Sequence, residues 1–247
     1  WEPVFDALAK ELQSHGDEIA AVIVEPVLQG AAGMRMYSPE LLGFLAEEIK
    51  KAGALLIADE VFTGFGRTGS MWACDLADVS PDLLCTAKGL SGGMLPFAAT
   101  LATDRIYDGF RGDKRRAFMH GHTFCGNPIG AALAREVLAI YREEDILAAA
   151  APKAAKIESA ISAMSEIAGV SHPRAIGSCA AFEVGATGYM GRVGWQISDL
   201  ALELGAHLRP LGNTVYICPP LNIPDEDLDA LLGIVRESTE RVLLSAS

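Results

Sequence analysis

The sequence predicts an α/β protein: a mostly parallel sheet covered by helices, followed by a smaller C-terminal α+β domain. Three observations predict it. Short apolar runs alternate with amphipathic stretches of helical period through the first 142 residues. Those runs are apolar throughout rather than at every second position, the pattern of strands buried on both faces. Beyond residue 143 the strands become fewer and are closely paired, so residues 1–142 read as the larger domain and 143–247 as the smaller one.

The elements follow in order. Residues 4–14 carry Phe5, Leu8 and Leu12 on one helical face. Residues 19–24 are apolar and largely β-branched, and Glu25-Pro26 ends that strand. Residues 29–37 read as a glycine-containing loop. Ser38-Pro39 is an N-cap followed by proline at the first helical position, and the helix runs to about Lys51, with Gly53 as its stop. Strands are predicted over 54–58, 81–87 and 97–103. Asn127-Pro128 caps a helix to Tyr141, and an alanine-rich helix spans 145–167. Residues 170–176 and 179–184 form a strand pair. A helix over 191–204, a strand over 214–218 and a closing helix over 224–244 complete the chain. Asp225, Glu226 and Asp227 sit in the first turn of the last helix, where carboxylates suit the dipole.

Composition narrows the function classes. Half of the 247 residues are hydrophobic, 21% are charged and the net charge is −12. That excludes a disordered tail and argues against a general nucleic-acid binder, which needs a basic surface. No apolar run approaches membrane-spanning length, so no membrane partner is expected. The five cysteines, Cys74, Cys85, Cys125, Cys179 and Cys218, are scattered and form no CxxC pair. A reducing cytoplasm fits them better than a disulfide framework or a zinc site. The chain opens on Trp1, with no visible signal or transit segment, and is expected to begin within a longer protein.

In an open parallel sheet, ligands bind beyond the carboxyl ends of the strands. Asp59 and Lys88 fall at two such ends. Lys88 precedes Gly89 and the pair Gly92-Gly93, and a partly desolvated lysine suits Schiff-base chemistry. By position alone a surface lysine is the commoner reading, since most lysines are solvated. A carboxylate at the end of an apolar strand, such as Asp59, could hold a protonated ring nitrogen or could simply cap a loop. Residues 64–69, Gly-Phe-Gly-Arg-Thr-Gly, form a tight loop that is neither a dinucleotide fingerprint nor a P-loop, and Arg67 reads as its brace. His120 and His122 lack a third ligand, so no metal is expected. Thr123 lies ahead of a helix N-terminus that could favour phosphate. Arg209 could clamp a carboxylate or form a surface ion pair. Arg111, Lys114, Arg115 and Arg116 read as a solvated loop.

Taken together, these segments resemble the class III (ω-) aminotransferases. Val24-Glu25-Pro26-Val27-Leu28-Gln29-Gly30 resembles the family's EP-x-x-x-G segment. Ala58-Asp59-Glu60-Val61-Phe62-Thr63-Gly64 with residues 65–69 is similar to its central signature. Ala87-Lys88-Gly89 is similar to the lysine segment, and His122-Thr123-Phe124 with Gly126-Asn127-Pro128 resembles the phosphate-contact loop. The resemblance implies the type I fold of pyridoxal-phosphate enzymes, with residues 1–142 as part of the large cofactor-binding domain. It implies a cytoplasmic homodimer acting on a small-molecule amino donor and a keto acceptor.

Residue by residue, the resemblance implies that Lys88 carries the cofactor and acts as general base. Asp59 pairs with the pyridine nitrogen, while His122 and Thr123 reach the phosphate. Gly121 lines the substrate site and Arg209 binds a substrate carboxylate. Leu95-Pro96-Phe97-Ala98-Ala99-Thr100, His120-Gly121-His122-Thr123 and Arg209-Pro210-Leu211-Gly212 resemble the biotin-pathway branch, which uses S-adenosylmethionine, or lysine in some relatives, to aminate 8-amino-7-oxononanoate. Phe62 stands where many class III enzymes have Gln, a departure shared with that branch. Open alternatives are a family member acting on β-alanine, 4-aminobutyrate or a diamine, and an inactive fragment. The family's N-terminal phosphate cup and stacking aromatic do not occur here, so this piece alone is expected to bind cofactor poorly.

Overall fold

A computed structural model of the chain describes residues 1–185 and 190–245. The elements run α1 (Glu2–His15), β1 (Ala21–Val24), β2 (Leu28–Gln29), β3 (Arg35–Met36), α2 (Pro39–Lys51), β4 (Leu55–Asp59), β5 (Leu83–Thr86), β6 (Ala99–Ala102), α3 (Asp104–Gly109), α4 (Pro128–Glu143), α5 (Ile146–Ser162), β7 (Val170–Ile176), β8 (Cys179–Val184), α6 (Val193–Glu203), β9 (Thr214–Ile217) and α7 (Asp225–Ser245). Short 3-10 helices punctuate the connections.

The chain divides into two compact units. Unit 1 comprises Trp1–Val27, Tyr37–Phe65 and Trp72–Glu143; unit 2 comprises Leu28–Met36, Gly66–Met71 and Glu144–Ser247. A division at 142/143 leaves the two short inserts with the first part. The structure gathers them into unit 2 because two arginines bond there across long stretches of sequence. Arg174 donates to the carbonyls of Met34 and Gly33, each at 2.7 Å. Arg67 donates to the Pro219 carbonyl at 2.5 Å.

Unit 1 is built on a four-stranded sheet in the order β1-β4-β5-β6. β1, β4 and β5 are parallel, whereas β6 returns antiparallel to β5, an orientation that an apolar run does not reveal. α2 buries Leu42, Leu45 and Ile49, and α1 packs on it with Phe5, Ala9 and Leu12. The two sheet edges carry exposed aliphatics, Ile23 at 64% and Leu101 at 49%.

Helix ends follow the punctuation in the sequence. α2 begins at Pro39 after Ser38, although the Ser38 hydroxyl turns to the Glu40 carboxylate rather than to a backbone N–H. It ends in a Schellman motif: Gly53, at φ +74°, donates to the Lys50 carbonyl, and Ala54 donates to that of Ile49. Asn127 Oδ1 accepts the Ile129 N–H at 3.0 Å and caps α4. α5 stops at Ser162, earlier than its alanine content suggests, and continues as a 3-10 turn over Ala163–Glu166.

Unit 2 holds the antiparallel sheet β7-β8-β9 and the two-residue hairpin strands β2 and β3. Its core joins Ile157 and Ile161 of α5, Phe182 and Val184 of β8, Ile197 of α6, and Leu228 and Val235 of α7. At the β7–β8 turn a Cβ on Gly177 would strike the backbone of Arg67, Thr68 and Gly69. Gly53 has open space around its Cα but needs the left-handed region. Gly53→Ala should therefore cost about 1–2 kcal/mol from φ alone. Gly177→Ala adds about 1–3 kcal/mol of overpacking to the same backbone cost. Urea unfolding of the two variants checks the order; equal midpoints would contradict it.

Candidate active site

The site begins where β4 and β5 end. Their parallel register sets Asp59 opposite Cys85, and the Glu60 N–H donates to the Cys85 carbonyl at 2.9 Å. Lys88 follows two residues after β5, so both candidate residues leave the carboxyl edge of the same sheet. Asp59 is half-buried, and its Oδ1 accepts the Val61 N–H at 3.1 Å. Its Oδ2 has no donor among the described residues.

Glu60, passed over in the sequence, is fully buried. It accepts from the Thr63 hydroxyl at 2.5 Å and from the Cys74 N–H at 2.9 Å. Those two bonds pin the turn leaving β4 and hold Asp59 at its rim. Burial beside this carboxylate pushes the Cys74 thiol far above its ordinary range. Glutamate is seldom fully buried, so a lone Glu after Asp gives little warning in a sequence.

Lys88 sits at φ +34°, a left-handed conformation for a non-glycine residue. Such strain costs about 1–3 kcal/mol and clusters at functional sites. The loop after it is tightly held. Ser91 Oγ donates to the Leu95 carbonyl at 2.7 Å, and Leu90 N–H to the Ala87 carbonyl at 2.8 Å. Gly89 is required because a Cβ there would lie 2.6 Å from Phe65. Phe65 is itself fixed edge-on against Trp72 and Tyr141, and the Tyr141 hydroxyl donates to its carbonyl at 2.8 Å. The Lys88 side chain is exposed, with Nζ 4.8 Å from the Phe62 ring centroid, within cation–π range.

Lys88 opens onto a cavity of about 980 Å³ within unit 1, lined also by Ser91, Phe97, His122, Phe124 and Asn127. The structure thus brings Lys88 and His122 onto one cavity. His122 Nδ1 accepts the Phe124 N–H at 3.2 Å, and the His122 carbonyl accepts the Cys125 N–H at 2.9 Å. Gly121, His122 and Thr123 are exposed, and neither Gly121 nor Thr123 lines that cavity. Arg209 is exposed in unit 2. Arg67 has the bracing role: besides Pro219 it reaches Ser178 Oγ at 3.5 Å. The basic run is exposed, with Arg111 paired to Asp108 and Arg115 to Asp113. Among the described residues no group of three or more His, Cys, Asp or Glu could hold a metal ion. No helix among them is long and apolar enough to cross a membrane.

The profile of the family described as Aminotransferase class-III matches residues 2–238. The chain belongs to that family. The adenosylmethionine-8-amino-7-oxononanoate aminotransferase of Synechococcus elongatus is 38% identical over 239 residues, covering 96% of this chain and 56% of the relative. The crystal structure of the enzyme so named from Methanocaldococcus jannaschii superposes with a TM-score of 0.92 at 32% identity, over 96% of this chain and 57% of that one. An amine transaminase from an uncultivated Pseudomonas species superposes with a TM-score of 0.89 at 30% identity, over 98% and 57%. The chain spans somewhat more than half the length of these relatives.

Class III aminotransferases depend on pyridoxal phosphate. The donor set of this chain fits that group. An amine at a cavity mouth suits its carbonyl carbon, and a half-buried carboxylate with one uncommitted oxygen suits its ring nitrogen. The site's geometry rests on Glu60. Glu60→Ala removes both acceptors, leaves the Thr63 hydroxyl and the Cys74 N–H without these bonds in the buried turn, and should cost about 1–3 kcal/mol. A thermal melt unchanged by the substitution would show that the buried carboxylate does not pin the turn.

Proposed function

We propose that the full-length protein is a pyridoxal-phosphate aminotransferase moving an amino group from S-adenosylmethionine to 8-amino-7-oxononanoate, giving 7,8-diaminononanoate for biotin biosynthesis. The observation that carries the aminotransferase reading is the strained Lys88 and the half-buried Asp59 at the ends of neighbouring parallel strands. The names of the Synechococcus and Methanocaldococcus relatives support the choice of substrates.

Bound pyridoxal phosphate supplies an electron sink for the carbon that exchanges the amino group. Lys88 holds the cofactor through Nζ and moves the proton at that carbon. Asp59 holds a proton at the pyridine nitrogen through its uncommitted oxygen. His122 and Thr123 bind the phosphate, Gly121 lines the substrate site, and Arg209 clamps the acceptor's carboxylate in bidentate fashion. The protein works as a cytoplasmic homodimer. Support for the dimer comes from unit 1, where Phe118, Met119, Phe124 and Ile129 are 66–86% exposed over a short stretch of chain. Apolar surface of that kind marks an interaction face.

A second reading keeps the chemistry and changes the acceptor. The likeness to an amine transaminase at a TM-score of 0.89 favours it over other departures. Assays on the full-length protein separate the two. Turnover of 8-amino-7-oxononanoate supports the first; its absence, with turnover of simple amines, β-alanine or 4-aminobutyrate, supports the second. In either case Lys88→Ala should lower turnover by about 10³-fold or more. A near-normal rate would remove Lys88 from the chemistry.

A further inference from the structure

We propose that Cys179 and Cys218 form a redox-sensitive dithiol in unit 2, a modification site that a peroxide closes to an intrachain disulfide and a thiol reductant reopens. The pair arises from strand register. β8 and β9 pair antiparallel from Glu183↔Thr214 to Ala180↔Ile217. One step further sets Cys179, the first residue of β8, against Cys218, the residue after β9. Directly opposed residues of an antiparallel pair have Cα atoms about 4.5–5.5 Å apart, inside the range a disulfide spans. The two sulfurs lie 3.5 Å apart, in hydrogen-bond contact. Closing to the bonded distance of about 2.05 Å needs only small side-chain rotations.

The surroundings divide the roles. Cys179 is fully buried, whereas Cys218 is half-buried and is the sulfur an oxidant meets first. The hydrogen bond with the Cys218 sulfur, together with burial, holds the Cys179 thiol well above its ordinary range. A cationic group stands beside the pair: the Arg67 guanidinium is fixed on the Pro219 carbonyl, next in sequence to Cys218, and reaches Ser178 Oγ, next to Cys179. Its positive charge works against that rise at Cys179.

The chemistry balances in two steps. The Cys218 thiol attacks hydrogen peroxide, its sulfur is oxidised to the sulfenic acid, and water leaves. The Cys179 sulfur then attacks the Cys218 sulfur. The S–O bond breaks, an S–S bond forms, and the hydroxyl departs with the Cys179 proton as a second water. The peroxide is the two-electron oxidant throughout.

Cysteine mapping of the full-length protein tests this. The protein is treated with a modest excess of hydrogen peroxide, alkylated, and digested without reduction. The expected result is a crosslinked peptide joining Cys179 to Cys218, with two fewer alkylatable thiols than before treatment and both restored by dithiothreitol. Exposed Cys125 and buried Cys74 are internal controls and stay outside the crosslink. Cys218→Ser and Cys218→Ala should each abolish the crosslink and leave Cys179 alkylatable after unfolding. Recovery of both cysteines as free thiols from the treated wild-type protein would overturn the proposal, as would their separate oxidation to sulfinic acids without a crosslink. The wild-type result decides even if a variant folds poorly.

Discussion

The parallel register of β4 against β5 is the constraint on which the candidate site depends. It sets Asp59 opposite Cys85 and so fixes a carboxylate and, a few residues beyond the neighbouring strand, an amine on one edge of one sheet. Neither residue chooses that place by itself. Asp59 is held by the Val61 N–H and by the turn that buried Glu60 pins. Lys88 takes a left-handed conformation in a loop held by the close approach of Phe65 to Gly89 and by the bond from Ser91 to the Leu95 carbonyl. The local strain is small beside the burial of the strands and helices that enforce it.

Much of this was legible in the sequence because it depends on short-range chemistry. Ser38-Pro39, Gly53 and Asn127-Pro128 mark helix ends whose hydrogen bonds close within a few residues. The runs before Asp59 and Lys88 read as buried strands because they are apolar on both faces. What the sequence hid depends on partners far along the chain. The β2–β3 hairpin read as a loop because its strands are two residues long and Arg174, some 140 residues away, holds its tip. The reversed direction of β6 leaves no periodic trace. The short helix α3 buries none of its residues, so it had no apolar face to announce it. Glu60 gave no signal because its burial is visible only once Thr63 and Cys74 fold over it.

The same separation explains why the candidate residues differ in definition. Lys88 and His122 share a cavity within unit 1, and Asp59 shares the sheet edge from which Lys88 emerges. Gly121 and Thr123 belong to a stretch of unit 1 exposed from residue 107 to 126. That stretch carries exposed apolar side chains, Phe118, Met119 and Phe124 among them. Arg67 shows the opposite case. A guanidinium in a glycine-rich loop suggests anion binding, yet its fork is committed to a backbone carbonyl and a serine hydroxyl of its own unit.

Lys88 is proposed as the amine that holds the cofactor. Borohydride reduction of the full-length protein incubated with pyridoxal phosphate, followed by peptide mapping, tests it most directly. A stoichiometric pyridoxyl group on Nζ of Lys88 is the expected result. A label on another lysine, or none on Lys88 in protein that turns substrate over, would contradict it.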